Sequence, residues 1–480
     1  MTAKKRRAQT RRAKSRGRSI SPPRFVMSSH DLQSAVASDR KHLIHPLHHP
    51  SAHVAPKVWV KGEGSILTDM EGNQYLDGLS GLWNVNVGHG RKELADAAAR
   101  QMETLAYASG YIGSTNLNAI VLAERLAALT YPEINAFFFT SGGGESTDSA
   151  IKTARFYWKT KGKPDKTKVI SRELGYHGVT LAAMSATGMS GYWPMFEPRV
   201  PGFIHIASPY PYFFNHGFEP SERSPTPGLG AANLLEDAIL AEGADTVAAF
   251  IAEPIQGAGG VIVPQDDYFP RIRKICDQYD VLFIADEVIT GFGRTGTWFG
   301  LEHWGVAPDV MEFAKGVTSG YVPLGGIGVN DAIKDAIDSA DPAKRWMHAY
   351  TYSGHPTTCA VALANLDYME QHDLVTQAAE TGAHLQAGLS SLQSNHPKVG
   401  EARGMGMMGA LELMEDREAR VKLNPEAKTG EKLHQEATKR GLWSRTRDDV
   451  YVLAPPLTTT RDEIDRIIHI LDESLTAVGC

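Results

Sequence analysis

Two apolar runs, "VLFIADEV" (281–288) and "DVMEFAKG" (309–316), lie on either side of a glycine-containing segment. Four similar runs precede them: "AFFFTS" (136–141), "KVISREL" (168–174), "FIHIAS" (203–208) and "TVAAFIAE" (246–253). Amphipathic segments of helical length, such as "STDSAIKTARFYWK" and "YFPRIRKICDQYD", stand between the runs. Apolar strands that alternate with helices indicate βαβ units. The sequence therefore predicts an α/β fold around a largely parallel sheet.

The flanks of this region have different patterns. Residues 209–232 are rich in proline, aromatic residues and serine, which favours a long excursion loop. Residues 40–80 contain "VWVKGEGSILTDMEGNQYLDG", which is typical of hairpin strands. Beyond residue 355 the pattern becomes helical and then mixed, which predicts a smaller α+β domain. The expected division is a basic leader (1–30), an N-terminal segment that packs with the small domain (31–80), a large domain (81–350) and the small domain (351–480).

The composition limits the class of protein. Of 480 residues, 42% are hydrophobic and 22% are charged, which is ordinary for a globular protein. Three cysteines give no disulfide framework and favour a reducing compartment, so we expect a cytoplasmic protein. No apolar run approaches the roughly 18 residues of a membrane helix.

The first 30 residues carry ten Lys or Arg and no acid, whereas the remaining 450 carry 39 basic and 55 acidic residues, a formal charge of −16. The leader is interpreted as a disordered tail, or as sequence upstream of a start at Met27. A targeting peptide and a nucleic-acid-binding arm are alternatives. The acidic body argues against nucleic-acid binding by the protein as a whole.

Polar residues follow several predicted strands, and ligands of open α/β sheets bind beyond the carboxyl ends of strands. Gly142 to Gly144 in "FFFTSGGGESTDSAIKTAR" link a strand to a helix. Such a turn is typical of a phosphate site, because backbone N–H groups at the start of the helix are free to bind an anion. A flexible turn without a ligand is the alternative.

Asp286 ends one strand and Lys315 ends the next. A buried carboxylate needs a partner, and the alternatives for Asp286 are a helix cap or a pair with Arg294. A desolvated lysine serves as a nucleophile, although Lys315 could instead emerge into solvent. A phosphate loop, a strand-end acid and a strand-end lysine together are the parts that pyridoxal phosphate requires.

From about His42 to the C-terminus the sequence resembles the class III aminotransferases, which belong to the fold-type I pyridoxal-phosphate enzymes. It is most similar to the pyruvate-dependent ω-transaminases. The resemblance rests on a set of motifs: "DGLSGLWNVNVGHG", "YHGVTLAAMSATG", "AAFIAEPIQGAGGVIVP", "IADEVITGFGRTG", "FAKGVTSGYVPLGG", "YTYSGHP" and "APPL".

The resemblance implies roles for single residues. Lys315 matches the lysine that forms a Schiff base with the cofactor and then shuttles the proton, and Asp286 matches the carboxylate of the pyridine nitrogen. Val288 matches the apolar residue under the ring, and Tyr176 matches the aromatic residue stacked on its other face.

Further matches surround the phosphate. Gly142, Gly143 and Gly144 match the phosphate loop, and Glu253 matches a cofactor-binding residue. Thr351 matches a threonine that reaches the phosphate from the neighbouring subunit, which implies a homodimer with shared active sites, possibly a dimer of dimers. Many relatives have serine at the position of Gly144, so we hypothesise weaker cofactor retention here. No metal is expected.

Two positions narrow the acceptor. Val179 and Ala258 stand where 2-oxoglutarate-using relatives often have arginine and glutamate. This favours pyruvate as the acceptor and an amine without a nearby α-carboxylate as the donor. Arg445 matches a mobile arginine that binds the keto-acid carboxylate, with Arg447 close enough in sequence to be confused with it.

Trp83 and Tyr111 match aromatic walls of the substrate pocket, although core packing is the alternative for each. The resemblance thus implies a ping-pong transfer from an ω-amino acid, a diamine, taurine or an arylalkylamine to pyruvate, giving alanine. The alternatives within the family are an aminomutase, a decarboxylating aminotransferase and a 2-oxoglutarate-linked aminotransferase on the same scaffold. A nucleic-acid- or partner-binding protein with a vestigial enzyme body is the alternative from another class.

Overall fold

The computed structural model describes residues 31–480, so the interpretations of the leader lie outside the described residues. The described chain falls into two units, which divide between Val58 and Trp59. In the first unit, a helix begins after Asp31, whose carboxylate accepts a hydrogen bond from the Ser34 N–H (2.8 Å). A short 3₁₀ turn, Pro50–His53, follows this helix.

The strands of residues 31–480 are β1 Trp59–Glu63, β2 Ile66–Asp69, β3 Gln74–Asp77, β4 Ile134–Thr140, β5 Lys168–Arg172, β6 Phe203–Ile206, β7 Val247–Ala252, β8 Leu282–Asp286, β9 Val310–Phe313, β10 Gly325–Asn330, β11 Val399–Met405, β12 Met408–Asp416, β13 Val421–Lys422, β14 Leu442–Trp443, β15 Arg445–Arg447 and β16 Val450–Leu453. The helices are α1 Leu32–His42, α2 Ser80–Trp83, α3 Lys92–Thr104, α4 Leu117–Leu129, α5 Gly143–Thr160, α6 Leu181–Ala186, α7 Pro211–Phe214, α8 Pro227–Glu242, α9 Tyr268–Gln278, α10 Asp331–Asp338, α11 Pro356–Gln371, α12 Leu374–Asn395, α13 Thr429–Lys439 and α14 Arg461–Ala477.

A seven-stranded sheet in the order β4-β10-β9-β8-β7-β5-β6 forms the centre of the second unit. Strands β9, β8, β7, β5 and β6 pair in parallel, and β10 runs antiparallel to both β4 and β9. The predicted mostly parallel α/β sheet is confirmed, and each of the six predicted runs overlaps one of its strands.

Strand β10 was not predicted, because "GGIGVN" has the glycine content of a loop. Its glycines are required by packing. A β-carbon on Gly326 would lie 2.5 Å from the Phe313 ring, and one on Gly328 would lie 2.8 Å from the Phe137 ring. Aromatic side chains of the two neighbouring strands thus fill the space that β10 side chains would take.

Two smaller sheets complete the unit. The predicted hairpin strands are β1 to β3, and β14 joins them in parallel with β3. A second sheet has the order β11-β12-β16-β15, and α12 packs on it. The strands of this second sheet and α12 account for the mixed pattern of the C-terminal region. The boundaries of the predicted domains stay predictions.

The predicted loop over residues 209–232 is wrong at its C-terminal end, where α8 already begins at Pro227. Thr226 caps this helix by accepting the Leu229 N–H (3.3 Å), and proline at the first helical position is pre-organised for a helix. The proline was read as a loop residue although it starts a helix.

Buried apolar side chains form two clusters at the central sheet. The larger cluster also reaches the sheet of β11, β12, β16 and β15. The smaller cluster packs α5 and α10 against the central sheet. Within residues 31–480, no helix is both long and apolar enough to cross a membrane. The same residues contain no group of three His, Cys, Asp or Glu side chains placed to hold a metal ion.

Candidate active site

A cavity of about 160 Å³ opens at the carboxyl edge of the central sheet. Strands β4, β5, β7, β8 and β9 all end at this edge, and the segments that follow them supply its walls. The lining residues are Gly143, Gly144, Tyr176, His177, Gly178, Glu253, Asp286, Val288, Ile289 and Lys315.

Lys315 follows β9 directly and opens a short 3₁₀ turn in the left-handed region, with φ of 46°. Its side chain is partly buried, and within residues 31–480 its Nζ has no hydrogen-bond partner. Burial lowers the pKa of Lys315 to about 8, although the nearby Asp286 and Glu253 carboxyls act in the opposite direction. An amine with this pKa is partly neutral, and therefore nucleophilic, near neutral pH.

Asp286 ends β8 and is 4% exposed. Its Oδ2 lies 2.8 Å from His177 Nδ1, and its Oδ1 accepts the Val288 N–H (3.1 Å). The alternative pair with Arg294 is not formed, because Arg294 donates instead to the Asn86 Oδ1 (2.7 Å) and to backbone carbonyls. The carboxylate is thus fixed by two contacts and keeps lone pairs toward the cavity.

Glu253 follows β7 and is almost fully buried. Its two oxygens accept the Tyr176 N–H (2.9 Å) and the Gly257 N–H (2.9 Å). Burial raises the pKa of Glu253 to about 6, although the nearby His177 lowers it. Glu253 therefore positions the segment that carries Tyr176 and the loop that begins at Gly257.

The glycine turn between β4 and α5 makes close contacts. A β-carbon on Gly143 would lie 3.1 Å from Val288, and one on Gly178 would lie 2.8 Å from Gly144 Cα. Gly178 also has a φ of 114°, so only glycine fits there without strain. The first N–H groups of α5 lack partners within the helix and are directed to this edge, as at any helix N-terminus.

Arg445 and Arg447, which sequence alone could not separate, occupy different places on β15. The charge of Arg445 acts on both Lys315 and Tyr176, which places it close to the cavity. Arg447 is held away by donating from Nη1 to the Gly259 carbonyl (2.6 Å).

Comparisons with known proteins agree with this geometry. The family described as aminotransferase class III matches residues 48–475. The chain is 43% identical over 427 residues to the putrescine–pyruvate aminotransferase of Pseudomonas aeruginosa, covering 88% of this chain and 92% of that one. It is 38% identical over 425 residues to the diaminobutyrate–2-oxoglutarate transaminase of Halomonas elongata (88% and 90% covered). The structure superposes on an (S)-enantioselective ω-transaminase from Thermomicrobium roseum with a TM-score of 0.90 and 47% identity (94% and 100% covered).

The chain belongs to the class III aminotransferases. These enzymes depend on pyridoxal 5′-phosphate, and the predicted family, fold type and cofactor are confirmed.

The cavity of this class III aminotransferase has the chemistry that the cofactor needs. The Lys315 amine, which no group of the described residues engages in a hydrogen bond, can bind an aldehyde, and the Asp286 carboxylate can bind a pyridinium nitrogen. Gly143 and Gly144 line the cavity at the start of α5, where backbone N–H groups without a partner in the helix can bind an anion. The residues present therefore fit pyridoxal phosphate.

The cavity of one chain brings together seven of the predicted site residues: Gly143, Gly144, Tyr176, Glu253, Asp286, Val288 and Lys315. The lining does not include Gly142, Trp83, Tyr111, Ala258, Arg445 or Thr351. Trp83 is 3% exposed and packs in the apolar core, whereas Tyr111 is half exposed. Their roles stay predictions.

The sequence interpretation missed His177, Gly178 and Ile289 as lining residues. A signal was available for His177, because it follows Tyr176 in the quoted motif "YHG" and histidine is a common partner of a buried acid. For Ile289, nothing in the sequence separates a lining residue from a core residue.

Proposed function

We propose that this chain is a pyruvate-dependent ω-transaminase, which transfers the amino group of an ω-amino acid, a diamine or another primary amine to pyruvate in ping-pong order. The products would be alanine and an aldehyde or ketone. The observation that carries the proposal is the amine of Lys315, which has no hydrogen-bond partner among residues 31–480 and shares one small cavity with the Asp286 carboxylate. The Pseudomonas relative, named for putrescine and pyruvate, supports the choice of acceptor.

The cavity would hold the cofactor through groups at three strand ends. Lys315 Nζ would bind the aldehyde carbon, and Asp286 would keep the pyridine nitrogen protonated. Backbone N–H groups of Gly143 and Gly144 at the start of α5 would bind the phosphate, assisted by the helix dipole. The bound cofactor supplies an electron sink that lowers the barrier to breaking the substrate's Cα–H bond.

Three side chains would fix the plane of the ring. Val288, which packs against Gly143, would contact one face, and Tyr176 would cover the other. Glu253 would act on Tyr176 indirectly, because it holds the Tyr176 backbone N–H.

Lys315 would also move the proton. Once the substrate amine has displaced Lys315 from the aldehyde carbon, the freed, neutral Nζ would accept the proton from the substrate's Cα and return it on the cofactor side. A pKa of about 8 suits both steps, because neither the neutral nor the charged amine is strongly disfavoured near neutral pH.

Residues around the acceptor would favour pyruvate. Val179 leaves no arginine for a second substrate carboxylate, and Ala258 leaves no glutamate to neutralise an active-site arginine during the amine half-reaction. Arg445 would bind the single carboxylate of pyruvate, because its charge already acts on Lys315 and Tyr176. Trp83 and Tyr111 would shape the amine side of the pocket.

A second copy of the chain would complete the site. Thr351 is exposed and lies outside the cavity of its own chain, while its carbonyl accepts the Tyr107 hydroxyl (2.8 Å). Several large apolar side chains of the same part of the chain are exposed: Tyr107, Tyr111, Ile112, Leu117, Ile120 and Tyr352. A homodimer, or a tetramer made of two such dimers, would bury this surface and bring Thr351 to the partner's phosphate.

The cytoplasm is the proposed compartment. Cys276, Cys359 and Cys480 are all free, and the first two are buried thiols. Burial raises the pKa of Cys276 to about 12, so this thiol is inert to oxidation at neutral pH.

The test is alanine formation from pyruvate with a panel of donors: β-alanine, putrescine, taurine and 1-phenylethylamine. We expect alanine with at least one donor, and none with the Lys315→Ala variant. No alanine from any donor, with the cofactor bound, would contradict the pyruvate assignment.

A 2-oxoglutarate-linked transaminase is the second candidate, which the Halomonas relative favours. The same donor panel with 2-oxoglutarate in place of pyruvate distinguishes the two candidates. A 2-oxoglutarate-linked enzyme would form glutamate from 2-oxoglutarate faster than it forms alanine from pyruvate. A Val179→Arg variant sharpens the comparison: the added guanidinium should shift the preference toward 2-oxoglutarate if residue 179 reaches the second carboxylate of the acceptor.

A further inference from the structure

A second carboxyl lies behind Asp286 on the next strand. Glu312 on β9 is the register partner of Asp286 on β8, and it is fully buried. Its Oε2 lies 2.7 Å from the Thr147 hydroxyl, and its Oε1 is buried without a hydrogen-bond partner within residues 31–480. The mechanism proposed above does not use this group.

The contacts of the Thr147 hydroxyl show how many hydrogens this site needs. Its Oγ1 lies 2.7 Å from Glu312 Oε2, 2.7 Å from the His177 carbonyl and 3.2 Å from the Gly143 carbonyl. Carbonyls only accept, and a threonine hydroxyl has a single hydrogen to donate. If Glu312 were ionised, one hydrogen would have to serve three acceptors. If Glu312 carries a proton on Oε2, it donates to Thr147, and the Thr147 hydrogen is free for the His177 carbonyl.

The surroundings favour the same state. The charged groups that act on Glu312 are Asp286 and Asp148, both acids, and His177 Nδ1 bonds Asp286 instead. Burial and the Asp286 charge raise the pKa of Glu312 well above its ordinary range. Two neighbouring buried carboxyls without a shared cation do not both ionise.

We propose that Glu312 is a permanently protonated positioning residue of the cofactor site, which donates to Thr147 and thereby frees the Thr147 hydrogen to hold the His177 carbonyl. His177 fixes Asp286, and Thr147 lies in α5, the helix that begins with the phosphate loop, so one buried proton links both ends of the cofactor site. Because Glu312 is neutral, the single negative charge of the Glu312–Asp286 pair stays on Asp286, where the pyridine nitrogen would bind.

The inference rests on the cofactor site proposed above, and its test compares three variants. In Glu312→Gln an amide N–H replaces the acid O–H, so we expect the dissociation constant of pyridoxal phosphate, measured on apoprotein, to stay within about threefold. Glu312→Leu removes the donor at similar volume and should weaken binding about five- to tenfold, the range for one lost hydrogen bond. Thr147→Val breaks the same link from the other side and should have the same effect. Combined with Glu312→Leu it should add little further loss, because both act on one link.

An infrared readout tests the proton without the cofactor. Wild-type apoprotein at pH 8 should show a protonated-carboxyl band that Glu312→Gln lacks. Absence of that difference, or a Gln variant that binds the cofactor as weakly as the Leu variant, would overturn the proposal. Undiminished cofactor binding in Glu312→Leu or in Thr147→Val would also overturn it, and Thr147→Val serves if the Leu variant does not fold. Apoprotein that binds no pyridoxal phosphate would instead contradict the proposed function, while the band would still decide the state of Glu312.

Discussion

The two edges of the central sheet bury the same kinds of charged residue in opposite ways. At the amino edge, Lys166 is 1% exposed, donates to the Ala244 and Tyr279 carbonyls (3.0 and 3.3 Å) and lies over the Trp158 ring. At the carboxyl edge, Lys315 has no hydrogen-bond partner within residues 31–480 and faces a cavity. Backbone groups and an aromatic face satisfy the first lysine, whereas the second is left for a ligand.

An acidic residue at each edge of the sheet shows the same difference in hydrogen bonding as the two lysines. Asp309 at the amino edge accepts from Arg273 (2.9 Å), the Phe283 N–H (2.7 Å) and Asn330 (3.1 Å). Asp286 at the carboxyl edge has His177 and one backbone N–H, and it lines the cavity. A charged group whose hydrogen-bonding atoms all have partners is therefore structural. A charged group beside a cavity with too few partners is one available for chemistry.

The largest predicted effect separates the two lysines. Lys315→Ala should lower kcat by about 10²–10⁴-fold or more, because general acid–base catalysis alone contributes that much. Lys166→Met should leave kcat within about twofold and lower the melting temperature, since two buried carbonyls lose their donor. Steady-state kinetics and thermal melts of both variants check this. Equal losses of activity would break the contrast.

The two acids give the next effect. Asp286→Asn should lower kcat/KM by about 10²–10³-fold at nearly unchanged stability, as expected when one pre-organised electrostatic partner is lost. Asp309→Asn should instead lower the free energy of unfolding by about 1–3 kcal/mol, because it disturbs buried donors. Denaturant titrations and kinetics of the same two proteins measure both. An inactive but stable Asp309→Asn variant would contradict the assignment.

A smaller effect concerns the glycine turn. A β-carbon on Gly144 would lie 3.6 Å from Thr180, an ordinary contact, so Gly144→Ser fits without a clash. The added hydroxyl should tighten cofactor binding about tenfold, near the lower end for a hydrogen bond to a charged group. Gly144→Ala is the matched control, since it adds the carbon without the hydroxyl. Equal cofactor retention by wild type and Gly144→Ser would show that the missing serine has no effect.

The smallest predicted effect is a pH dependence. A lysine whose pKa is lowered to about 8 becomes neutral at lower pH than an ordinary lysine, so the rate of cofactor capture by apoprotein should rise up to about pH 8. Between pH 8 and 10 it should then change by only about twofold. An ordinary lysine would continue to rise about tenfold per pH unit toward its pKa of about 10.4. Reconstitution followed by absorbance distinguishes the two curves.

Much of this carboxyl edge could be predicted from the sequence, because each of its residues directly follows its own strand in the chain. Each strand and the residue after it, such as Asp286 and Lys315, lie together in one motif, and parallel strands bring their ends together. The satisfaction of a charge is not local: Thr147, His177 and Glu312 come from three distant segments. Strand β10 was missed for a similar reason, since its glycines make sense only against the Phe137 and Phe313 rings of its neighbours.

The proposed roles of Thr351 and Tyr111 rest only on the resemblance. Thr351 is exposed and Tyr111 is half exposed in one chain. For either residue, the environment and the sequence pattern therefore give no role by themselves.

The most direct test of the account is to locate the lysine that binds the cofactor. Holoenzyme is treated with borohydride, digested and analysed by mass spectrometry for peptides that carry the reduced cofactor. The account predicts the added mass on the peptide of Lys315 and none on that of Lys166, although both lysines lie inside the protein. Modification of Lys166 or of another lysine, with Lys315 unmodified, would contradict it.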